Sequence, residues 1–174
     1  MNEIIAYKGQ LTLKVMHGNK VVRTVRQHNR GTLHLMRFLS LCLGSRYNEL
    51  DAPRYIRAFY TDEDGMNTSK EVTTRPVATN FTPEFSEPGD DVACVSLTFL
   101  IPSNAVDPTS STINRFALYS ANNSDAGSKD NYMAWVGLPK ASQENPGQPE
   151  SITVHSGESL MVIWEMTLQN VATK

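Results

Sequence analysis

From Leu160 to Gln169 apolar and polar side chains alternate, with Leu160, Val162, Trp164, Met166 and Leu168 on one side and Glu165, Thr167 and Gln169 on the other. A period of two sends successive side chains to opposite faces of an extended chain, so this stretch reads as a strand with one face on a core. The same period recurs at Leu11, Leu13 and Val15, and again at Val95, Leu97, Phe99 and Ile101 against Cys94, Ser96 and Thr98. A strand cannot bury its apolar face alone. A chain built from such strands must stack them in two layers around a shared interior.

The remaining segments fit that frame. Gly18-Asn19 joins two alternating runs, Leu11–Met16 and Val21–Gln27, and predicts a hairpin. Arg54–Tyr60, Thr112–Ser120 and Tyr132–Leu138 read as further strands, and Glu71–Asn80 as an edge strand because Pro76 cannot donate to a ladder. Phe81–Asp91, with Pro83, Pro88 and Gly89, reads as loop. Ile152–His155 and Leu160–Asn170 are expected to close the chain as a hairpin about Ser156-Gly157-Glu158. The fold class expected is mainly β: an antiparallel two-sheet β-sandwich of about eight or nine strands. Residues 9–174 form its single domain, and residues 1–8 are read as an N-terminal arm.

One stretch breaks the pattern. Between residues 31 and 43, Leu35, Met36, Leu39, Cys42 and Leu43 recur at helical spacing, and Leu33, Phe38 and Leu41 widen the apolar stripe. Asn29 or Thr32 can cap the start, and Gly44 can end it. The helix is expected to plug the end of the sandwich and to be covered on more than one side.

At 174 residues the chain is long enough to bury a core, and a net charge of −2 argues against a general basic field for nucleic acid. Arg23, Arg26 and Arg30 cluster locally and read as a solvated strand edge. Cys42 and Cys94 lie in apolar segments without a CxxC and read as small buried hydrophobes, as in a protein made in the cytoplasm. No run is long and apolar enough to span a membrane, and the first residues lack a signal-peptide layout.

Chemistry is hard to place. His17, His28, His34 and His155 show none of the spacings of a zinc site, and Asp62-Glu63-Asp64-Gly65 lacks the ligand order of a calcium loop. GxSxG, GxGxxG and P-loop motifs are absent. The chain is therefore read as non-enzymatic, with no catalytic residues, cofactor or metal. Tyr132 and Trp135, with Tyr55, Phe59 and Tyr60, offer an alternative reading as a glycan-stacking platform on a carbohydrate-binding sandwich.

The order of short motifs is more informative than any one of them. Asn29-Arg30-Gly31-Thr32 leads into the leucine-rich helix that ends at Leu43-Gly44, and Ala52-Pro53-Arg54-Tyr55-Ile56 opens the next strand. Thr74-Arg75-Pro76-Val77, the strand Val92–Pro102, Ile113–Tyr119 and Leu160–Leu168 follow. From about Gly9 to Asn170 this order resembles a loose group of small structural proteins of tailed bacteriophages, found in tail fibres, baseplates and related adaptors. Arg115 stands where that pattern often carries Glu. The resemblance implies a virion part that carries no catalytic residues and that oligomerises or docks other virion proteins. Apart from the resemblance, a homotrimer is the assembly expected of a free-standing complex.

The sequence also marks the surfaces for such contacts. Met161 and Ile163 make the second face of the closing strand more apolar than a solvated face, and Ile4 and Ile5 lie in the N-terminal arm. These four residues are the expected interface.

Overall fold

The computed structural model describes residues 3–43, 52–60, 71–84, 92–105, 112–120, 133–138 and 151–172. The strands are β1 (Glu3–His17), β2 (Lys20–Gly31), β3 (Pro53–Tyr60), β4 (Glu71–Thr74), β5 (Pro76–Glu84), β6 (Val92–Ile101), β7 (Thr112–Ser120), β8 (Ala134–Gly137), β9 (Ile152–Thr153) and β10 (Glu158–Ala172). One helix, α1 (Leu33–Leu43), follows β2. Among the described residues the strands make two antiparallel sheets of five strands each, as a β-sandwich requires. The first runs β5-β6-β10-β1-β2; the second runs β4-β3-β7-β8, with β9 also paired to β7.

The spine is the ladder between β1 and β10, in register from Glu3↔Ala172 to His17↔Glu158. It brings Leu11 opposite Trp164, Leu13 opposite Val162 and Val15 opposite Leu160. All six are buried, and Phe99 and Ile101 of β6 extend the same face. Ile56, Phe116, Leu118 and Val136 of the second sheet close on them in one contiguous core. The period-two pattern thus becomes the inner face, where removal of apolar surface from water supplies the main favourable term. Gly18 (φ 57°) and Gly157 (φ 83°) make the two turns that need a left-handed residue.

Two strands turn a corner and tie the sheets together. β2 pairs with β1 through Asn29 and then passes to β8 through Arg30 and Gly31. On the other side β4 pairs with β3, and after the single residue Arg75 the chain continues as β5 on β6. The Thr74 hydroxyl donates to the Leu100 carbonyl (3.4 Å) across that second corner.

Several expectations are corrected. Residues 3–8 are not an arm: they belong to β1 and pair with Thr167–Ala172 of β10. β5 runs through Phe81 to Glu84, where a loop was expected, because an edge strand tolerates Pro83. β9 does not form a hairpin with β10. It pairs with Thr112 and Ile113 of β7, since β10 is already flanked by β1 and β6. The turn at Gly157 therefore carries the chain from one sheet to the other.

The helix starts where Thr32 is anchored. Its N–H and its hydroxyl both donate to the Met133 carbonyl (2.9 and 2.8 Å), and the Thr32 carbonyl accepts from Met36 N–H (3.1 Å). Asn29, the other cap candidate, is used in the core. Leu35 is buried, Phe38 and Leu39 are half-buried against the core, and Met36, Arg37, Ser40 and Cys42 are exposed. The helix packs Leu35, Phe38 and Leu39 on the core, and among the described side chains one stripe is covered rather than several sides. Cys42 is exposed and Cys94 is half-buried on an outer face, so neither is the core residue expected. Gly44 and residues 61–70 with their acidic turn lie outside the described residues.

Burial ranks the helix positions. Leu35→Asp is expected to cost several kcal/mol, because an unpaired carboxylate would sit in the core. Leu39→Asp should cost only about 1–2 kcal/mol, because its side chain borders an open cleft. Urea midpoints of the two variants check the order.

Candidate functional site

Each corner strand leaves a fork, and a concavity lies at each fork. Where the chain passes from β4 on β3 to β5 on β6, an apolar cleft of about 320 Å³ opens between α1 and the first sheet. Leu35, Phe38 and Leu39 of α1 form one wall, Pro53 and Phe81 stand at the strands that diverge, and Val95, Leu97 and Leu168 lie on the sheet side. Phe81 is 67% exposed, the most exposed large apolar side chain among the described residues. Where β2 leaves β1, a second concavity of about 400 Å³ is polar, edged by Lys8, Gln10, His28, Glu165 and Thr167.

Tyr7 borders both, and a buried amide fixes it. Asn29 lies at the point where β2 turns, opposite Gly9. The amide orientation that satisfies every neighbour has Nδ2 donating to Tyr7 Oη (2.7 Å) and Oδ1 accepting from Gln10 N–H (3.1 Å) and Trp164 Nε1–H (2.8 Å). Gly9 makes room for it: a Cβ there would overlap the Asn29 amide and lie 2.6 Å from Tyr7 Oη. A glycine inside an alternating strand is the sequence signal for such a close approach.

Burial pushes the Tyr7 phenol up to about 12, with the hydrogen bond to Trp164 opposing that rise. The folded state therefore favours the neutral phenol. The associated stability is fully present below pH 10, the ordinary tyrosine value, and is lost as pH rises toward 12. Between pH 9 and 12 the wild type should lose roughly 2 kcal/mol more than Tyr7→Phe, read from urea midpoints at each pH.

The outer face of the second sheet interleaves arginine with aromatic rings. Arg57 Cζ lies 4.7 Å from the Tyr119 centroid, Arg115 Cζ 4.5 Å from that of Phe59, and Arg75 Cζ 5.3 Å from that of Tyr55. Phe59, Tyr119 and Arg57 are buried, so this face is a small second core held by cation–π contacts. Phe59 therefore does not present an open ring to a sugar, and Tyr55 carries a guanidinium over its face. Of the platform residues proper, Tyr132 lies outside the described residues, and Trp135 is placed only by its backbone, opposite Ala117 and Arg30.

The structure separates the four expected interface residues. Met161 and Ile163 are half-buried on the outer face of the first sheet, with Ile163 between Thr12 and Thr98. Ile4 and Ile5 lie in β1 opposite Val171 and Asn170, and their side chains fall outside the described residues. The apolar cleft with Phe81, and the Asn29 node between the two concavities, are features that strand periodicity did not reveal.

Chemically, the apolar cleft offers contact surface rather than acid–base or nucleophilic groups. Among the described residues no group of three His, Cys, Asp or Glu side chains is placed to hold a metal ion, and no helix is long and apolar enough to cross a membrane. Comparison with protein-family models, with curated proteins and with solved structures finds no match to this chain.

Proposed function

We propose that the chain is a non-enzymatic structural component of a tailed-bacteriophage virion, a tail, baseplate, fibre or adaptor protein that acts through contacts with other virion proteins and with copies of itself. The observation that carries this reading is the apolar cleft beside α1 with Phe81 at its mouth. Apolar surface of this kind gains most from the packed side chains of another polypeptide. The sandwich suits such a role, because strands that turn both corners leave a rigid body whose two faces can serve different neighbours. The order of motifs from Gly9 to Asn170 supports the virion part of the reading.

Two measurements test it. Mass spectrometry of purified particles, grown from the genome that encodes the chain, should find it as a stoichiometric component. Light scattering on the purified chain should show a homo-oligomer, a trimer by expectation, that Phe81→Asp or Ile163→Lys weakens while circular dichroism stays native. Particles that lack the chain and assemble normally without its gene would overturn the proposal.

A further inference from the structure

We propose that the open edge of β2 is a docking strand for an extended, acidic segment of a partner protein. This surface is distinct from the apolar cleft, and the inference stands whether or not the chain is a virion part.

The first observation is charge. From Glu3 to Gly31 the chain holds Lys8, Lys14, Lys20, Arg23, Arg26 and Arg30, six of its 16 basic residues, against Glu3, one of its 18 acidic residues. In a protein of net charge −2, this hairpin thus holds six basic residues against a single acidic one. Cross-strand neighbours do not neutralise it: Arg23 faces Val15, Thr24 faces Lys14, Arg26 faces Thr12, and Lys20 faces His17. On β10, Glu158 accepts a hydrogen bond from His155 N–H (2.8 Å), and Glu165 sits beyond Gln10 toward the far end of the hairpin.

The second observation is the backbone. Among the described residues, β2 from Lys20 to Asn29 pairs with β1 on one side only, and it meets β8 only at Arg30 and Gly31. That leaves ten residues of open edge, about 33 Å of strand at ~3.3 Å per residue. Lys20, Arg23, Thr24, Arg26 and His28 are exposed along it, and so are Val21 (43%) and Val22 (49%), two large apolar side chains at the same edge.

Together these select the partner. Basic side chains along an edge repel a like edge and so prevent self-pairing. The same charges attract a strand of opposite sign, whose main chain can complete the ladder while its side chains meet Arg26 on one face of the sheet and Arg23 on the other. Val21 and Val22 add apolar contact that a phosphate backbone would not use. An acidic polypeptide therefore fits better than a nucleic acid.

The probe is a fluorescein-labelled ten-residue peptide of repeating Glu-Glu-Val-Val, which carries Glu on both faces of a strand, titrated against the full chain by fluorescence anisotropy. The expected result is saturable binding that weakens about tenfold from 50 to 300 mM salt and about tenfold in the double variant Arg23→Glu/Arg26→Glu. Both positions are exposed, so the variant should keep its melting temperature. A peptide of the same sequence with alternate backbone N-methyl groups should bind at least about tenfold less well, because it cannot extend the ladder. Equal binding of the N-methylated peptide, equal binding of a Lys–Val peptide, tighter binding of a single-stranded DNA 20-mer, or no binding of the Glu–Val peptide at millimolar concentration would each overturn the inference.

Discussion

Trp164→Ala is expected to remove about 4 kcal/mol, a large fraction of the stability of a domain that has roughly 5–15 kcal/mol to lose. Trp164 is fully buried at the centre of β10, between Leu11 of β1 and Leu97 of β6. Two effects combine. Truncation leaves a cavity that strands paired on both sides cannot collapse to fill. It also removes the indole N–H that satisfies Asn29 Oδ1 at 2.8 Å. Trp164→Phe separates the two, because it keeps most of the ring and loses only the donor; about 1–2 kcal/mol is expected there. Urea denaturation followed by far-ultraviolet circular dichroism measures both. A loss in Trp164→Ala no larger than in Trp164→Phe would show that the interior repacks, and that Trp164 is not the keystone its burial implies.

Gly9→Ala should cost about 3 kcal/mol, a large effect for one methyl group. The added Cβ would overlap the Asn29 amide and press on Tyr7 Oη, in a strand flanked by β2 and β10. Neither strand can move away without breaking its ladder, so the amide must be displaced and its three hydrogen bonds lost. Steric conflict predicts a specific coupling. The double variant Gly9→Ala/Asn29→Ala should be about as stable as Asn29→Ala alone, because the second substitution removes the amide with which the first collides and unties Tyr7 Oη, which can then move aside. Additive losses would instead point to a backbone requirement at Gly9 and would separate it from the Asn29 node.

The two concavities were not legible before folding. Each is made by residues far apart in the chain: Leu35 and Phe38 meet Phe81 and Leu168 in one, and Lys8 meets His28 and Glu165 in the other. Periodicity says which side of a strand faces inward but not where two strands part. The corner residues Asn29 and Arg75 fall in the short motifs Asn29–Thr32 and Thr74–Val77, but nothing in those motifs marks a change of sheet. The glycan platform failed at Phe59 for a related reason. Aromatic residues on the outer face of a strand look exposed in sequence, whereas Phe59 and Tyr119 are covered and Arg115 and Arg57 occupy their ring faces.

The fold class, the long inner faces of β1, β6 and β10, the Gly18-Asn19 hairpin and a helix near residues 31–43 were all legible in the residues before folding, the helix being observed over Leu33–Leu43. These follow from local rules: side-chain period, turn chemistry and helical spacing act within a few residues of each other. It took the assembled sheets to place residues 3–8 in a ladder, to pair β9 with β7, and to leave Met36 and Cys42 of α1 in solvent while Leu35 is buried. Those outcomes depend on which ladder edges and core surfaces remain unoccupied once every other strand is placed. That competition is settled by the whole chain folding at once, and no segment carries it alone.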